Sequence, residues 1–289
     1  MSEKQFTIVG LGEVLWDIFP SSEKMLGGAP ANFAYIATKL GDRGILASRV
    51  GDDSDGTEII ERLQNTGLDT SNVQIDPNYS TGMVQVRIQD GQPAYEIPEP
   101  IAWDFLELTA NWHDLALKCD ALCFGSLAQR NPVSRQTIRE FVGATRTDCL
   151  RIFDVNLRQR FFSYEVLSDS LTLANAAKLN HEVLILISEL LDVSGENETE
   201  QAQNLKNKFD LRFICVTQGE RGSMLFAENE MSQHKGIRVE TADTVGAGDA
   251  FTAAMTRGFL HGLNLDEINR EANRVAAFVA SRPGAMPDF

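Results

Sequence analysis

The stretch "DTVGAGDAF", residues 243–251, places two glycines and an aspartate directly before the helical pattern "TAAMTRGFLHG". Glycines let successive backbone N–H groups turn toward one point. At a helix start these groups have no partner and carry the positive end of the helix dipole. Gly246, Ala247 and Gly248 therefore predict an anion pocket suited to a phosphate or to a phosphoryl group in transfer. The Gly-Lys-Ser/Thr of a Walker motif does not follow.

Asp249 falls inside this predicted pocket and has two interpretations. Aspartate is a good N-cap residue, so Asp249 could do no more than begin the helix. A carboxylate beside an anion pocket can also act as a general base, because a hydroxyl that attacks phosphorus must lose its proton. The stretch alone leaves both interpretations open.

The rest of the chain alternates between strand-like and helical patterns. The apolar runs of strand length are "FTIVG", "GILASRVG", "ALCFGS", "LRIFDVN" and "RFICVTQG". The helical patterns are "PANFAYIATKL", "GTEIIERLQNTG", "RQTIREFVGAT", "LTLANAAKL" and "NLDEINREANRVAAFVAS". Such alternation predicts an α/β fold with a parallel sheet that is covered on both faces.

Two β-rich pieces interrupt this alternation. One is "EVLWDIFP", residues 13–20, and the other is "STGMVQVRIQDGQPAYEIPEP", residues 80–100, where "DGQ" is a hairpin signal. Together they predict a small sheet over the strand ends, where open α/β sheets bind ligands. We call residues 13–28 and 80–100 the lid. We expect it to be an excursion from a single domain, 1–289, with "LGGAP" as the hinge.

Polar residues in the first part of the lid suggest a ligand. In "VLWDIF", Asp17 interrupts five apolar residues. A buried carboxylate is costly unless it is hydrogen-bonded, and sugar hydroxyls are suitable donors. The alternative is an edge-strand charge that faces water. "GGAPAN" allows close backbone approach at Gly28 and places Asn32 in a first helical turn, facing either a ligand or solvent.

A third polar group ends the pattern "LRIFDVNLRQRF". Asp154, Asn156 and Arg158 are spaced by two, so they share one face if the strand continues. A strand end is the expected ligand edge, and the planar fork of Arg158 suits a carboxylate or phosphate. The alternative is a solvated strand end. Further on, "CVTQGERGS" by itself predicts an ordinary hairpin turn.

"GGAPANFA" and "DTVGAGDAF" resemble the two signatures of the ribokinase-like sugar kinases, the PfkB family, with the first in the form typical of fructokinases. The resemblance extends from "GLGEVLWD" nearly to the end, at "RPGAMP". It implies a ribokinase-like α/β fold, a three-layer sandwich with a central, mainly parallel sheet and a small β-sheet lid. It also implies ATP and Mg²⁺ as cofactors.

The resemblance implies a role for each matching residue. The catalytic base would be Asp249, with an anion hole formed by Gly246, Ala247 and Gly248. The sugar contacts would come from Asp17, Gly28, Asn32 and Arg158. The nucleotide contacts would come from Asn156, Asn180, Thr217, Gly219, Gly222, Asn273 and Gly284.

The metal element departs from the family pattern. "KLNHEV" resembles the family's N-x-x-E element, and Asn180 matches, but Val183 occupies the glutamate position. Glu182 is one place early. Asn180 and Glu182 are the candidate metal residues; either the nucleotide phosphates mainly hold magnesium or the metal affinity is weakened. In some relatives the position of Asp243 helps to order a monovalent cation such as K⁺.

Composition excludes some classes of function. The net charge is −15, and no run of Lys and Arg forms a basic face, which argues against nucleic-acid binding. The N-terminus has no apolar signal core and no stretch is apolar enough to span a bilayer, which predicts a cytoplasmic protein without a membrane partner. The cysteines lie in or beside apolar runs, which predicts reduced core residues rather than a zinc site, at Cys119, Cys123, Cys149 and Cys215.

These observations predict transfer of the γ-phosphoryl group of ATP to a hydroxyl of a small sugar, with fructose first because of the "GGAPAN" form. A kinase for 2-keto-3-deoxygluconate would need Arg158 for the carboxylate. A nucleoside kinase would need an apolar slot, from Trp16, Phe19 or Tyr95. A non-catalytic sugar-binding regulator is favoured by Val183 but opposed by the intact "GAGD". Pairing of lid strand edges between two chains would give a homodimer.

Overall fold

The computed structural model describes residues 4–18, 24–89, 92–228 and 230–289. A large sheet contains nine strands: β1 (Thr7–Leu11), β4 (Arg43–Gly51), β5 (Val73–Asp76), β8 (Ala121–Phe124), β9 (Leu150–Asp154), β10 (Ala176–Asn180), β11 (Phe213–Thr217), β12 (Ser223–Ala227) and β13 (Glu230–His234). Their order is β13-β12-β11-β10-β9-β8-β1-β4-β5. The strands from β11 to β5 pair in parallel, whereas β12 is antiparallel to both of its neighbours.

A second sheet, the small sheet, has the order β3-β2-β6-β7. Its strands are β2 (Leu15–Ile18), β3 (Lys24–Gly27), β6 (Gly82–Gln89) and β7 (Gln92–Glu96). The parallel pairing of β2 with β6 joins the two β-rich pieces of the sequence, as predicted. The antiparallel pairing of β6 with β7 is that of a hairpin, and its tip at Asp90 and Gly91 lies outside the described residues.

Helices cover both faces of the large sheet. They are α1 (Ala29–Lys39), α2 (Ser54–Asn65), α3 (Ala110–Lys118), α4 (Pro132–Ala144), α5 (Tyr164–Leu173), α6 (His181–Leu190), α7 (Glu198–Lys208), α8 (Ala247–Leu260) and α9 (Leu265–Ala280). One face packs against α1, α8 and α9, and the other against α3 to α7. Because successive strand residues point to opposite faces, Leu122 belongs to one core and Cys123 to the other. The predicted three-layer α/β sandwich is confirmed.

Side-chain caps fix where several helices begin. Asp53 accepts from the backbone N–H of Gly56 at the start of α2, and Asn131 accepts from Val133 at the start of α4. Such caps satisfy backbone donors that a helix cannot satisfy itself. Each helix in the described part of the chain is too short or too polar to cross a membrane.

One predicted helix is wrong. "LTLANAAKL" spans the end of α5 and then β10, with Asn175 between them. The side chain of Asn175 accepts from the N–H of Arg151 and donates to the carbonyl of Cys149, so it ends the helix by bonding to a neighbouring segment. "AAKLN" is a short strand buried on both faces, and its apolar run carries no periodicity that distinguishes it from a helix.

Candidate active site

The start of α8 is built by glycine, not by a capping side chain. Gly246 is the N-cap, with a φ of 78°, and no side chain caps the helix there. A Cβ atom at Gly246 would lie 2.5 Å from the Cβ of Ala285. The position therefore requires glycine both for its left-handed backbone and for its space. Asp249 lies in the first turn, so the N-cap interpretation of Asp249 is wrong.

Asp249 is buried and has one side-chain partner. The Nδ2 of Asn32 donates to its Oδ2 at 2.7 Å. Burial raises the pKa of Asp249 to about 7; the nearby Asp154 carboxylate adds to the shift, while Asn32, Lys178 and Arg158 oppose it. A carboxylate whose pKa lies close to neutrality suits general base catalysis.

Lys178, which the sequence analysis did not identify, lies beneath the glycine turn. Its Nζ is 3.1 Å from Oδ1 of Asp154 and 3.0 Å from the place that a Cβ atom at Gly248 would occupy. The hydroxyl of Thr252 in α8 donates to the other oxygen of Asp154 at 2.8 Å. A buried cation is thereby fixed at the helix start. The signal in the sequence was a lysine inside the apolar strand "AAKLN".

The segment before α8 is tied to the end of the chain. The carboxylate of Asp243 accepts from the N–H of Val245 at 3.0 Å and from the N–H of Gly284 at 3.3 Å. A Cβ atom at Gly284 would lie 2.8 Å from the Cε of Met25 in β3. The Gly284 segment therefore lies between the glycine turn and the small sheet, and the predicted nucleotide contact of Gly284 stays a prediction.

Asp17 lies in β2 of the small sheet and faces the same region. Burial raises its pKa to about 6; the charge of Arg158 opposes the shift and that of Asp243 adds to it. Arg158 also acts on Asp249, so the same guanidinium influences both carboxylates. The structure thus places Asn32 in contact with Asp249, and Asp17 and Asp249 within the influence of Arg158. The ligand roles that the resemblance implies for these residues stay predictions.

Gly28 joins the small sheet to α1. Its φ is 110°, and a Cβ atom there would lie 2.6 Å from the backbone oxygen of Glu13. Only glycine allows this close approach, which places the first turn of α1, and with it Asn32, beside Asp249. The contact explains the glycine structurally, and the predicted sugar contact of Gly28 stays a prediction.

Strand β9 ends at Asp154, so the shared strand face predicted for Asp154, Asn156 and Arg158 does not form. Asp154 is buried with Lys178 instead of facing a ligand. Asn156 is partly buried, and its backbone oxygen accepts from the hydroxyl of Ser126. Arg158 is exposed. The chain turns at this point because the N–H of Phe161 donates to the carbonyl of Arg158.

Three of the predicted nucleotide residues, Asn180, Thr217 and Asn273, lie along a row over β10, β11 and β12 in which Ser223 connects Thr217 to Asn273. Asn180 pairs with Thr217, and Thr217 pairs with Ser223. The Nδ2 of Asn273 in α9 donates to Oγ of Ser223 at 2.7 Å and to the carbonyl of Asn269 at 2.8 Å. Asn273 is therefore buried in a polar network and is no surface amide.

Two more of the predicted nucleotide residues, Gly219 and Gly222, lie in the turn between β11 and β12. Gly219 and Gly222 have φ values of 60° and 97°. The strands that flank them pair as an antiparallel hairpin, which the sequence also predicted. The nucleotide contacts of both glycines stay predictions.

The residues at the start of α6 bear on the metal. Oδ1 of Asn180 accepts from the N–H of Val183 at 2.8 Å, so Asn180 is the N-cap of α6. Val183 is half-buried against the core, and Glu182 is exposed in the first turn. Among these three residues, Glu182 is therefore the one whose side chain could bind an ion at this end of the sheet.

The predicted apolar slot finds no support in the residues that the structure describes. Trp16 is fully buried, with Lys24 and Arg62 over its ring, and its Nε1 donates to the carbonyl of Asp55. Phe19 and the side chain of Tyr95 lie outside the described part.

The site as a whole combines the buried carboxylate of Asp249, the ammonium of Lys178 and the N–H groups at the start of α8. Such a set of groups is suited to phosphoryl transfer.

Comparison with known proteins agrees with this geometry. The family model described as "pfkB family carbohydrate kinase" matches residues 17–289. A protein of Pyrococcus horikoshii described as an uncharacterized sugar kinase is 32% identical, over 96% of this chain and 91% of the relative. Its crystal structure in complex with ATP has a TM-score of 0.82 and 29% identity, over 97% of this chain and 93% of that one.

Fructokinases are also among the relatives. The fructokinase of Escherichia coli is 28% identical, over 96% of this chain and 91% of the relative. The crystal structure of a Vibrio cholerae fructokinase with fructose, ADP and calcium has a TM-score of 0.83 at 23% identity, over 99% of this chain and 96% of that one, which shows a shared fold. The chain therefore belongs to the pfkB family of carbohydrate kinases and is an ATP-dependent sugar kinase.

Proposed function

We propose that the protein transfers the γ-phosphoryl group of ATP to a hydroxyl of fructose. The observation that carries the proposal is the position of Asp249, a buried carboxylate with a pKa of about 7 in the first turn of α8. Two further observations favour fructose: the "GGAPAN" form of the first signature and the fructokinases among the relatives.

Asp249 acts as the general base. The hydrogen bond from Asn32 occupies Oδ2, which leaves Oδ1 to receive the proton of the attacking hydroxyl. The same bond fixes the orientation of the carboxylate before the sugar binds, which lowers the entropic cost of reaching the reactive geometry. With a pKa of about 7, the base is substantially ionised at neutral pH and still basic enough to accept a proton.

The glycine turn and Lys178 stabilise the phosphoryl group as it moves. The N–H of Ala247 donates to the carbonyl of Thr244 at 3.3 Å, so the N–H groups of Gly248 and Asp249 are the ones directed to an anion. The Lys178 ammonium adds a full positive charge beside Gly248. Its burial and its ion pair with Asp154 keep it in place, so little reorganisation is needed during the reaction.

Asp17, Gly28, Asn32 and Arg158 bind the sugar, and the row from Asn180 to Asn273 binds the nucleotide. The small sheet lies over the sugar, and we propose that it closes to exclude water, with residues 13–28 and 80–100 as the lid of a single domain. The edges of the small sheet are β3 and β7, and one of them would pair in the proposed homodimer.

The residues at the start of α6 fit magnesium only in part. Asn180 uses its side-chain oxygen to cap the helix, Val183 packs against the core and Glu182 offers one carboxylate. Magnesium is commonly held by one carboxylate together with substrate phosphates, so this set is sufficient with the nucleotide present. When bound, the ion would neutralise charge on the phosphates.

Two further predictions from the sequence stay proposals: a monovalent cation such as K⁺ near Asp243, and a cytoplasmic location.

One observation favours a second substrate. Arg158 is exposed beside the sugar site, and no described residue forms an ion pair or a hydrogen bond with its guanidinium. A free cation of this kind would bind the carboxylate of 2-keto-3-deoxygluconate.

The test is ADP release from ATP and Mg²⁺ across a panel of fructose, ribose, glucose, 2-keto-3-deoxygluconate and nucleosides. We expect turnover on fructose. Turnover on the keto acid alone would replace fructose by the second candidate. Sugar binding without turnover on any member of the panel would instead favour a non-catalytic regulator.

A further inference from the structure

Glu13 is a buried carboxylate that the proposed mechanism does not use. It lies two residues beyond the end of β1 and is 4% exposed. Its Oε2 is buried and has no hydrogen-bond partner among the residues that the structure describes. A buried polar atom without a partner destabilises the fold, and more so when the group is charged, so native structures seldom retain one without a use.

The surroundings of Glu13 place it at the sugar site. Its backbone oxygen lies against Gly28, and its carboxyl group lies near the N–H of Ala29 at the start of α1. The guanidinium groups of Arg158 and Arg130 both act on it. Arg158 is also the cation that acts on Asp17 and Asp249, so one guanidinium lies among three carboxylates.

A second unused acceptor lies in the same place. Asn32 donates its Nδ2 to Asp249, while its Oδ1 is buried without a partner in the described part of the chain. Both Oε2 of Glu13 and Oδ1 of Asn32 are acceptors, so a ligand at this site would have to supply hydrogen-bond donors. A neutral, hydroxyl-rich ligand supplies O–H donors. The carboxylate of a keto acid supplies only acceptors, which these two oxygens would repel.

We propose that Glu13 accepts a hydrogen bond from a substrate hydroxyl, directly or through one ordered water, and thereby selects neutral sugars over acidic ones. This inference rests on the proposed sugar-kinase function of the same site. Glu13 would then recognise a hydroxyl other than the one that reacts, because Asp249 serves the latter. Its contribution belongs to substrate affinity more than to the chemical step.

A structural role for Glu13 is the competing explanation. A carboxylate near the start of α1 also interacts favourably with the helix dipole. That role would make Glu13 variants less stable and would weaken every substrate to the same extent. Recognition of a hydroxyl instead weakens the parent sugar and spares the one deoxy analogue that lacks the hydroxyl concerned.

The experiment combines variants of Glu13 with deoxy analogues of the sugar that the wild type turns over, beginning with fructose. Glu13→Gln keeps one acceptor oxygen and Glu13→Ala keeps none. We expect KM for the parent sugar to rise about tenfold or more in Glu13→Ala, and less in Glu13→Gln, with kcat within a few-fold of the wild type. For one deoxy analogue, wild type and variants should have the same KM.

Asp42→Asn is the matched control. Asp42 is a buried carboxylate just beyond the other end of α1, where it contacts His261. The Asp42→Asn substitution should lower the melting temperature, and any change in KM should be the same for the parent sugar and for its deoxy analogues. Glu13→Gln guards against a failure of Glu13→Ala to fold, because it preserves the shape of the side chain.

Each outcome has a separate meaning. Equal KM changes for the parent sugar and all deoxy analogues would overturn the inference and leave the sugar kinase intact. Preferred turnover of 2-keto-3-deoxygluconate would also overturn it. A wild type that turns over no sugar would overturn both the inference and the proposed function.

Discussion

Asn32 and Asp249 are joined by a hydrogen bond of 2.7 Å although 217 residues separate them in the chain. The donor favours the ionised form of Asp249 and so opposes the effect of burial on its pKa. Asn32 thereby links the first turn of α1, next to the small sheet, to the proposed base in α8.

Replacing Asn32 should change the pKa of Asp249, although the two residues are far apart in the sequence. In Asn32→Leu the donor is lost, so the pKa of Asp249 should rise above about 7. The pH profile of kcat should shift toward higher pH, with activity partly recovered there. Steady-state kinetics between pH 6 and 9 would measure this shift. A profile that only falls in height, without moving along the pH axis, would contradict the assigned role of the hydrogen bond.

Asp249→Asn should separate catalysis from stability. Without a base, kcat should fall roughly 10²–10⁴-fold, while calorimetry should still detect sugar binding. The raised pKa means that ionisation of Asp249 costs folding free energy, absent below its ordinary value of 3.8 and complete above about 7. The variant should therefore melt at a higher temperature than the wild type at pH 8, and this advantage should shrink as the pH falls toward 4. Unchanged turnover would remove Asp249 from the mechanism.

Lys178→Met should damage both the fold and the reaction. It leaves Asp154 buried without its cation, and breaking such a pair typically costs about 3–5 kcal/mol. The double variant with Asp154→Asn removes the unpaired charge and should recover much of the lost melting temperature. Its turnover should stay low, since the cation beside Gly248 is still missing. Full recovery of turnover in the double variant would show that Lys178 acts only on stability.

Gly246→Ala tests the space at the start of α8. The change adds backbone strain and a contact of 2.5 Å with Ala285, so turnover and melting temperature should both fall. Gly67→Ala is the matched control, because Gly67 has a φ of 87° but no atom within 4 Å of the new Cβ. It carries the strain alone, about 1 kcal/mol. Equal effects in thermal melts of the two variants would mean that the contact with Ala285 is unimportant.

The start of α6 predicts the dependence on Mg²⁺. Val183→Glu places a carboxylate in the first turn, opposite the Asn180 cap, and should lower the Mg²⁺ concentration needed for half-maximal rate. Glu182→Gln should raise it. Glu189→Gln, at the far end of the same helix, is the control and should leave it unchanged. Identical Mg²⁺ titrations for all three variants would place the ion elsewhere.

The sequence predicted the sheet and its covering helices because long apolar strands and amphipathic helices differ clearly in period. It failed at β10, where "AAKLN" is short and its buried residues show no alternation of apolar and polar side chains. The same strand carries Lys178. The failure to recognise β10 as a buried strand is therefore also the reason why Lys178 was missed. Burial of a charge depends on partners from other segments, here Asp154 and Thr252, and no local pattern announces such partners.

Glu13 was missed for a similar reason. In "GLGEVL" it reads as one polar residue in an apolar stretch, as Asp17 does a few positions later. The resemblance assigned a role to Asp17 and none to Glu13. What sets Glu13 apart is an oxygen without a hydrogen-bond partner among the described residues, which only the packed structure reveals.

The strand order has a consequence for biosynthesis. In the large sheet β1 pairs with β4, and β5 is added beyond β4. β8 is then added at the free edge of β1, and each strand from β9 to β13 is added beside the one before it. No strand is inserted between two that have already paired. The sheet can therefore grow outward in the order in which the ribosome releases the chain, at about 5–20 residues per second. Because α8 follows β13 in the chain, Asp249, the proposed base, is synthesised only after every strand of the large sheet.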